Sequence, residues 1–299
     1  MVQRIGIAVL SVLALAAAAS AATTLNGTYT YGEGESLADG VVTIGSNGNV
    51  GIVNIVGGSL AADTLYAARG TGAATITITS GQLLFPNSGS TGYLHLGYDG
   101  TPTATVTQTG GTVGSGNVII GTSPTGAATY TISGGTLSAY SLCAGYDVRS
   151  WSDAGLGRLD VIGTAATVSA SYLLACGSSG TLGFTVGSTG VSTIVARDTK
   201  FSAGATIDMA VGSGVTVASG TVFDLIVDQK NGISITNLAL ASGDAYIADV
   251  RSGWTLQRNA AGDTLQAVYT AVPEPATMGL LGLGVVSLVG RRSGRGRRK

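Results

Sequence analysis

A short apolar stretch closed by glycine returns four times between residues 55 and 137, and this recurrence limits the fold more than any other feature of the chain. Ile55-Val56-Gly57-Gly58-Ser59-Leu60 reappears as Ile78-Thr79-Ser80-Gly81-Gln82-Leu83, then Gln108-Thr109-Gly110-Gly111-Thr112-Val113, then Ile132-Ser133-Gly134-Gly135-Thr136-Leu137. The aligned glycines at 58, 81, 111 and 135 lie 23, 30 and 24 residues apart. A degenerate copy, one residue longer, runs from Ile162 to Val168. A second landmark follows each turn: Leu65-Tyr66-Ala67-Ala68, Leu94-His95-Leu96-Gly97, Val118-Ile119-Ile120-Gly121, Leu142-Cys143-Ala144-Gly145 and Leu174-Ala175-Cys176-Gly177.

Each unit therefore reads as strand, glycine turn, strand, turn, strand and loop. One such unit cannot bury its own apolar face. Stacked at ~4.8 Å, units pair every backbone group with the copy above and below and close a continuous aliphatic core. The expected class is all-β, a parallel β-helix or solenoid over residues 23–220. Variable unit length maps to one loop site, around Asn87 to Gly92 in one unit and Val148 to Gly157 in another. An antiparallel sandwich fits regularly spaced turns but fits poorly with landmarks that return in phase.

Composition agrees with a strand-built body. Charged residues are only 10% and hydrophobic ones 44%, which excludes intrinsic disorder, and the 48 glycines follow no three-residue period, which excludes collagen. Val, Ile and Thr favour strands. From about Thr221 the repeat fades into Thr221 to Val227, Ile233 to Leu238, Tyr246 to Val250, Trp254 to Gln257 and Leu265 to Tyr269, all reading as strands. Arg258 to Asp263 can turn the last two into a hairpin. Solenoids need atypical terminal units, so residues 221–270 are expected to form a C-terminal β cap, with Trp254 packed onto the last coil.

Both ends speak of export. Met1 to Arg4 is a short positive region, Ile5 to Ala19 is apolar, and Ala19-Ser20-Ala21-Ala22 offers small residues at a cleavage site, the anatomy of a signal peptide over residues 1–22. At the other end, Val272-Pro273-Glu274-Pro275 precedes an apolar run over residues 276–290 and a basic tail. Pro273 and Pro275 keep the chain extended and exposed. The run would span ~22 Å as a helix, somewhat less than a bilayer core, and Arg291 and Arg292 can snorkel. Positive residues after it place the tail in the cytoplasm and the body outside. Residues 23–272 hold eight basic and 15 acidic side chains, a net of −7. Nucleic acid is therefore not an expected partner.

Pro273, Glu274 and Pro275, the apolar stretch, and Arg291 with Arg292 together resemble the PEP-CTERM sorting signal of Gram-negative bacteria. The resemblance implies recognition by a membrane transpeptidase-like exosortase, a transient inner-membrane anchor through a short C-terminal transmembrane helix over part of residues 271–299, and release or attachment at the cell surface, commonly alongside exopolysaccharide. The body is similar to autotransporter-associated β-strand repeats, and the right hand of the helix is taken from that resemblance. The translocating β-barrel of autotransporters is missing from this sequence.

Candidate chemistry is sparse. His95, the chain's single His, lies between Leu94 and Leu96, so alternation turns it to the opposite face, where an exposed, non-catalytic residue is expected. A Ser-His-Asp triad could be proposed only by forcing His95 into it, and one His excludes a multi-His zinc site. Cys143 and Cys176 fall one register apart when Gly145 is aligned with Gly177, which points them to opposite faces and favours two small buried residues over a disulfide. Tyr98-Asp99 and Tyr146-Asp147 follow the second landmark glycine in two units separated by one coil. Two carboxylates fall short of the ligands that Ca²⁺ prefers. Tyr66, Tyr93, Tyr98, Tyr140 and Tyr146 are expected to be exposed, where they could stack on sugar rings. No catalytic residue, metal site or cofactor is assigned. The expected role is structural or adhesive. The alternative is a β-helix polysaccharide lyase or hydrolase using Asp99, Asp147 and Arg149, should they converge.

Overall fold

The computed structural model describes residues 22–85, 90–230, 232–233, 248–249 and 253–270. The apolar leader up to residue 21 and the expected sorting segment and C-terminal helix over 271–299 lie outside the described residues. Within them the chain is all-β, without helix, and its sheet is largely parallel. The alternation that builds it is plain in three strands. Thr75 and Thr77 flank buried Ile76, Thr105 and Thr107 flank buried Val106, and Thr129 and Thr131 flank buried Tyr130. Threonine keeps one face wet while an aliphatic or aromatic residue fills the other.

Strand pairing falls into three parallel columns. In the first, Val53, Ile76, Val106, Tyr130, Leu159, Leu182 and Ile207 lie in register. The second aligns Leu60, Leu83, Val113, Leu137, Val168, Ile194 and Ile226. The third aligns Leu65, Leu94, Val118, Leu142 and Leu174. Each unit of sequence gives one strand to each column, and all three ladders are buried in one core. An antiparallel sandwich is thereby excluded for the body.

The glycine landmarks coincide with this register, because Ser59, Gln82, Thr112 and Thr136, each just after its aligned glycine, pair in succession. Gly135 shows why the position needs glycine. Its φ is +80°, and a Cβ there would lie 2.4 Å from the carbonyl oxygen of Gly111 in the unit below. One polar pair sits among the apolar ladders. The buried Tyr130 hydroxyl donates to Gln108 Oε1 at 2.6 Å, while Gln108 Nε2 donates to the Thr136 carbonyl at 3.0 Å, so neither buried group lacks a partner.

Unit length varies at more than the one corner expected. The connection 85–92 joins the second column to the third, whereas the 145–155 connection leaves the third column for the next unit. Residues 187–193 add length between the first column and the second. These connections lie between the strands of the three columns, so a change of length there leaves the ladder pairing intact.

The direction of pairing changes at the C-terminal end. Val222–Asp228 pairs in parallel with Ile194–Ala196 through Ile226 to Asp228, and antiparallel with Thr264–Tyr269. Trp254–Arg258 and Thr264–Tyr269 form the hairpin expected across Arg258 to Asp263. Trp254 is 4% exposed, shares the main core, and meets the rings of Phe223 at 5.9 Å and Tyr269 at 4.9 Å. Of the expected strands at 233–238 and 246–250, only Ile233 and Ala248–Asp249 fall within the described residues.

Candidate functional site

The outer face of the third column carries most of the chain's unusual side chains. Thr43, Tyr66, His95, Ile119, Cys143, Ala175 and Lys200 are in register along it. Their parity is opposite to that of Leu65 and Leu94, so they stand outside the main core. A second, smaller core covers part of this ladder: Ile119, Cys143, Tyr146, Leu173 and Ala175 cluster there. It lies against the 145–155 connection, in which Tyr146–Asp147 pairs antiparallel with Ser152–Asp153.

This cover corrects the expectation for His95. The alternation is as read from sequence, but the face is not open to solvent, and His95 is only 1% exposed. Its ring stacks within 9° of Tyr66 at 5.2 Å and within 8° of Tyr93 at 5.3 Å, and Tyr98 tilts against it at 5.1 Å. Nδ1 lies 3.4 Å from the Thr122 hydroxyl. Burial, seconded by the positive charge of Arg149 and only partly opposed by Asp147, pushes the imidazole down to about 3. His95 is thus a neutral ring in an aromatic stack.

The cysteines follow the sequence reading. Cys143 pairs with Ala175 and Ala144 with Cys176, so the two thiols occupy opposite faces, one in each core, both free and buried. Burial raises both, Cys176 up to about 12. Tyr146 is corrected: it is 1% exposed, covered by its own connection rather than displayed. Tyr66, Tyr93, Tyr98 and Tyr140 are half-buried.

Asp99 and Asp147 are brought to one place. Both line a groove of about 440 Å³ with Tyr98, Thr122, Thr125 and Arg149. Asp147 is held by Arg149, whose Nη2 lies 2.6 Å from Oδ2 and whose Nε lies 3.0 Å from Oδ1, with the Arg149 backbone N–H donating at 2.9 Å. Partial burial works to raise this carboxyl, but the Arg149 hydrogen bonds and charge prevail and hold it below its ordinary value. Arg149 also lies over the Tyr98 ring at 5.4 Å. Asp99 adopts a left-handed backbone, φ +63°, and is exposed. It also lines a second groove of about 410 Å³, beside Arg69.

Four contributors were not singled out from the sequence. Arg69 lies over Tyr66 at 5.3 Å and over Tyr98 at 5.8 Å. Tyr172 stacks on Tyr140 at 4.8 Å and 7°, and Trp151 meets its edge at 6.4 Å. Lys200 Nζ sits 4.7 Å from the Tyr146 ring and 5.6 Å from that of Trp151, and donates to the Tyr146 hydroxyl. Trp151 is 52% exposed at φ +54°, a backbone that bulky residues rarely adopt. The pairing of Arg69 with Tyr98 follows from the same register that aligns Ala67 with Leu96, so extending each landmark by two residues would have found it.

Six of the eleven tyrosines, the single His and one of two Trp gather on this side, a concentration that covering strand edges does not require. Rings flanked by guanidinium, ammonium and hydroxyl groups suit ligands with an apolar face and a polar rim, as sugars have. No group of three or more His, Cys, Asp or Glu side chains placed to hold a metal occurs among the described residues.

The chain carries a PEP-CTERM protein-sorting motif, matched over residues 271–298. Pro273, Glu274, Pro275, Arg291 and Arg292 all fall within that stretch. The motif supports export, sorting to the cell envelope and processing by an exosortase-type enzyme. No curated protein and no solved structure matches the chain.

Proposed function

We propose that this protein is an exported structural or adhesive β-solenoid, right-handed, displayed at the cell surface or released into extracellular matrix, where its aromatic face contacts exopolysaccharide. The observation that carries the reading is the three-column register. It makes a rigid stack whose outer side chains repeat at ~4.8 Å, a geometry suited to following a polymer along a face. The sorting motif supports the location. The kinship with autotransporter-associated repeats rests on the recurring Gly turns, and the handedness is taken from that resemblance alone. On this reading residues 1–22 leave as a signal peptide, the segment after the Pro273-Glu274-Pro275 region anchors the chain transiently in the inner membrane, and exosortase-type processing follows.

Intact mass of the protein recovered from culture tests the route: loss of about residues 1–21 and of everything after the Pro-Glu-Pro region is expected. Extracellular protein still bearing the basic tail overturns the sorting part. Co-sedimentation with the producing cells' own polysaccharide tests adhesion.

A second reading, a polysaccharide lyase or hydrolase, is favoured by one observation, the shared groove of Asp99, Asp147 and Arg149. The pairing of Asp147 with Arg149 weighs against it, because a carboxylate held ionised and doubly hydrogen-bonded makes a weak general base. New reducing ends or unsaturated sugar products on incubation with polysaccharide would move the assignment to the enzyme.

A further inference from the structure

We propose that the groove beside Arg69 binds the carboxylate of an acidic sugar residue, a uronate within a polysaccharide chain. The inference rests on the adhesive reading above and names the chemistry of its ligand. Arg149 is paired with Asp147, Arg158 with Asp160 and Asp208, and Lys230 with Asp198. Arg69 differs. Among the described residues no carboxylate oxygen lies within 4.0 Å of it and no acceptor takes its side-chain N–H groups. Its guanidinium is instead placed by the rings of Tyr66 and Tyr98.

An arginine positioned by aromatic rings, with its donors unspent, presents a planar fork that matches a carboxylate in two parallel hydrogen bonds. The groove's other polar groups are neutral hydroxyls and an amide, Thr24, Thr43, Ser46 and Asn47, together with the carboxylate of Asp99. Hydroxyls and an amide answer the ring hydroxyls of a sugar. Asp99 decides the charge of the ligand: one guanidinium sharing the groove with one carboxylate accepts a single negative charge at Arg69, and disfavours a dianion such as phosphate. In a body of net charge −7, an unpaired cation set in a hydroxyl-lined groove selects the acidic residue out of a mixed chain.

The test is calorimetric titration of the exported protein, at low salt, with an oligoglucuronate and with the uncharged oligoglucose of the same linkage. The wild type is expected to bind the uronate more tightly. Arg69→Gln should weaken uronate binding roughly tenfold or more, to the level of the neutral sugar, as loss of a charge-assisted pair implies. Arg69→Lys should recover only part of it, because an ammonium is a point charge without the fork. Asp99→Asn should strengthen uronate binding a few-fold and leave the neutral sugar unchanged, an effect that a purely structural role of Asp99 would not produce. Equal affinity of the wild type for both sugars, or unaltered uronate binding in Arg69→Gln, overturns the assignment while the adhesive reading stands. Binding of neither sugar removes the polysaccharide reading and this inference with it.

Discussion

Acid should destabilise this protein through His95. The folded imidazole is pushed from its ordinary 6.5 down to about 3, so between those values the unfolded chain binds a proton that the folded chain refuses. Stability therefore rises with pH across that window, is complete above about pH 7, and falls as pH drops below 6.5. Each pH unit is worth about 1.4 kcal/mol, which makes the loss of order 4 kcal/mol near pH 3 and of order 3 kcal/mol at about pH 4.5. His95→Phe keeps a ring between Tyr66 and Tyr93 and cannot titrate. Urea midpoints for both proteins from about pH 7.5 to pH 4.5 should show the wild type losing this increment and the variant not, with the carboxylates remote from the ring contributing equally to both. Because the chain has a single His, its imidazole proton resonance can be followed without ambiguity and should not move near pH 6.5. Parallel stability profiles, or titration close to 6.5, would refute the burial argument.

Gly135→Ala should cost about 3 kcal/mol or more in urea unfolding, since φ +80° and the Gly111 carbonyl at 2.4 Å both oppose a methyl group, whereas Gly163→Ala, at φ +65° with nothing within 4 Å, should cost about 1 kcal/mol; equal costs would contradict the close stacking of units. Cys143 and Cys176 should resist thiol reagents in the native protein and give two labels per chain in urea, and a disulfide in the exported protein would contradict the opposite-face assignment. Trp151→Gly should leave stability within about 0.5 kcal/mol of wild type, since glycine accepts φ +54° freely, while weakening polysaccharide binding; unchanged binding would remove Trp151 from the contact face.

Much of the stack was legible because glycine turns and aliphatic landmarks have local causes. Gly58, Gly81, Gly111 and Gly135 mark one corner, and Leu65, Leu94, Val118, Leu142 and Leu174 mark one ladder, in the register the sequence alignment gives. The one-residue offset between Cys143 and Cys176 was readable for the same reason. His95 and Tyr146 were misjudged because alternation tells which side of a strand a residue occupies, not what later folds over that side. The covering connection enters some fifty residues after His95, and its burial arises from tertiary packing. Arg69, Trp151, Tyr172 and Lys200 were missed because each is unremarkable alone and gains meaning only from rings contributed by other units.

Val222–Asp228, bonded in one sense to the strand before it and in the opposite sense to the strand after it, acts as a selvedge. Upstream of it the cloth is woven from interchangeable turns, so gain or loss of a whole turn would leave every remaining seam matched; beyond it, no further turn can be sewn on. Yet the groove is stitched across three successive turns, with Tyr98 in one, Thr122 and Thr125 in the next, and Arg149 following a third. Deleting residues 103–126 would bring Arg149 about 4.8 Å nearer to Tyr98 and erase the groove while sparing the weave, which separates the chain's freedom to change length from its freedom to keep a partner.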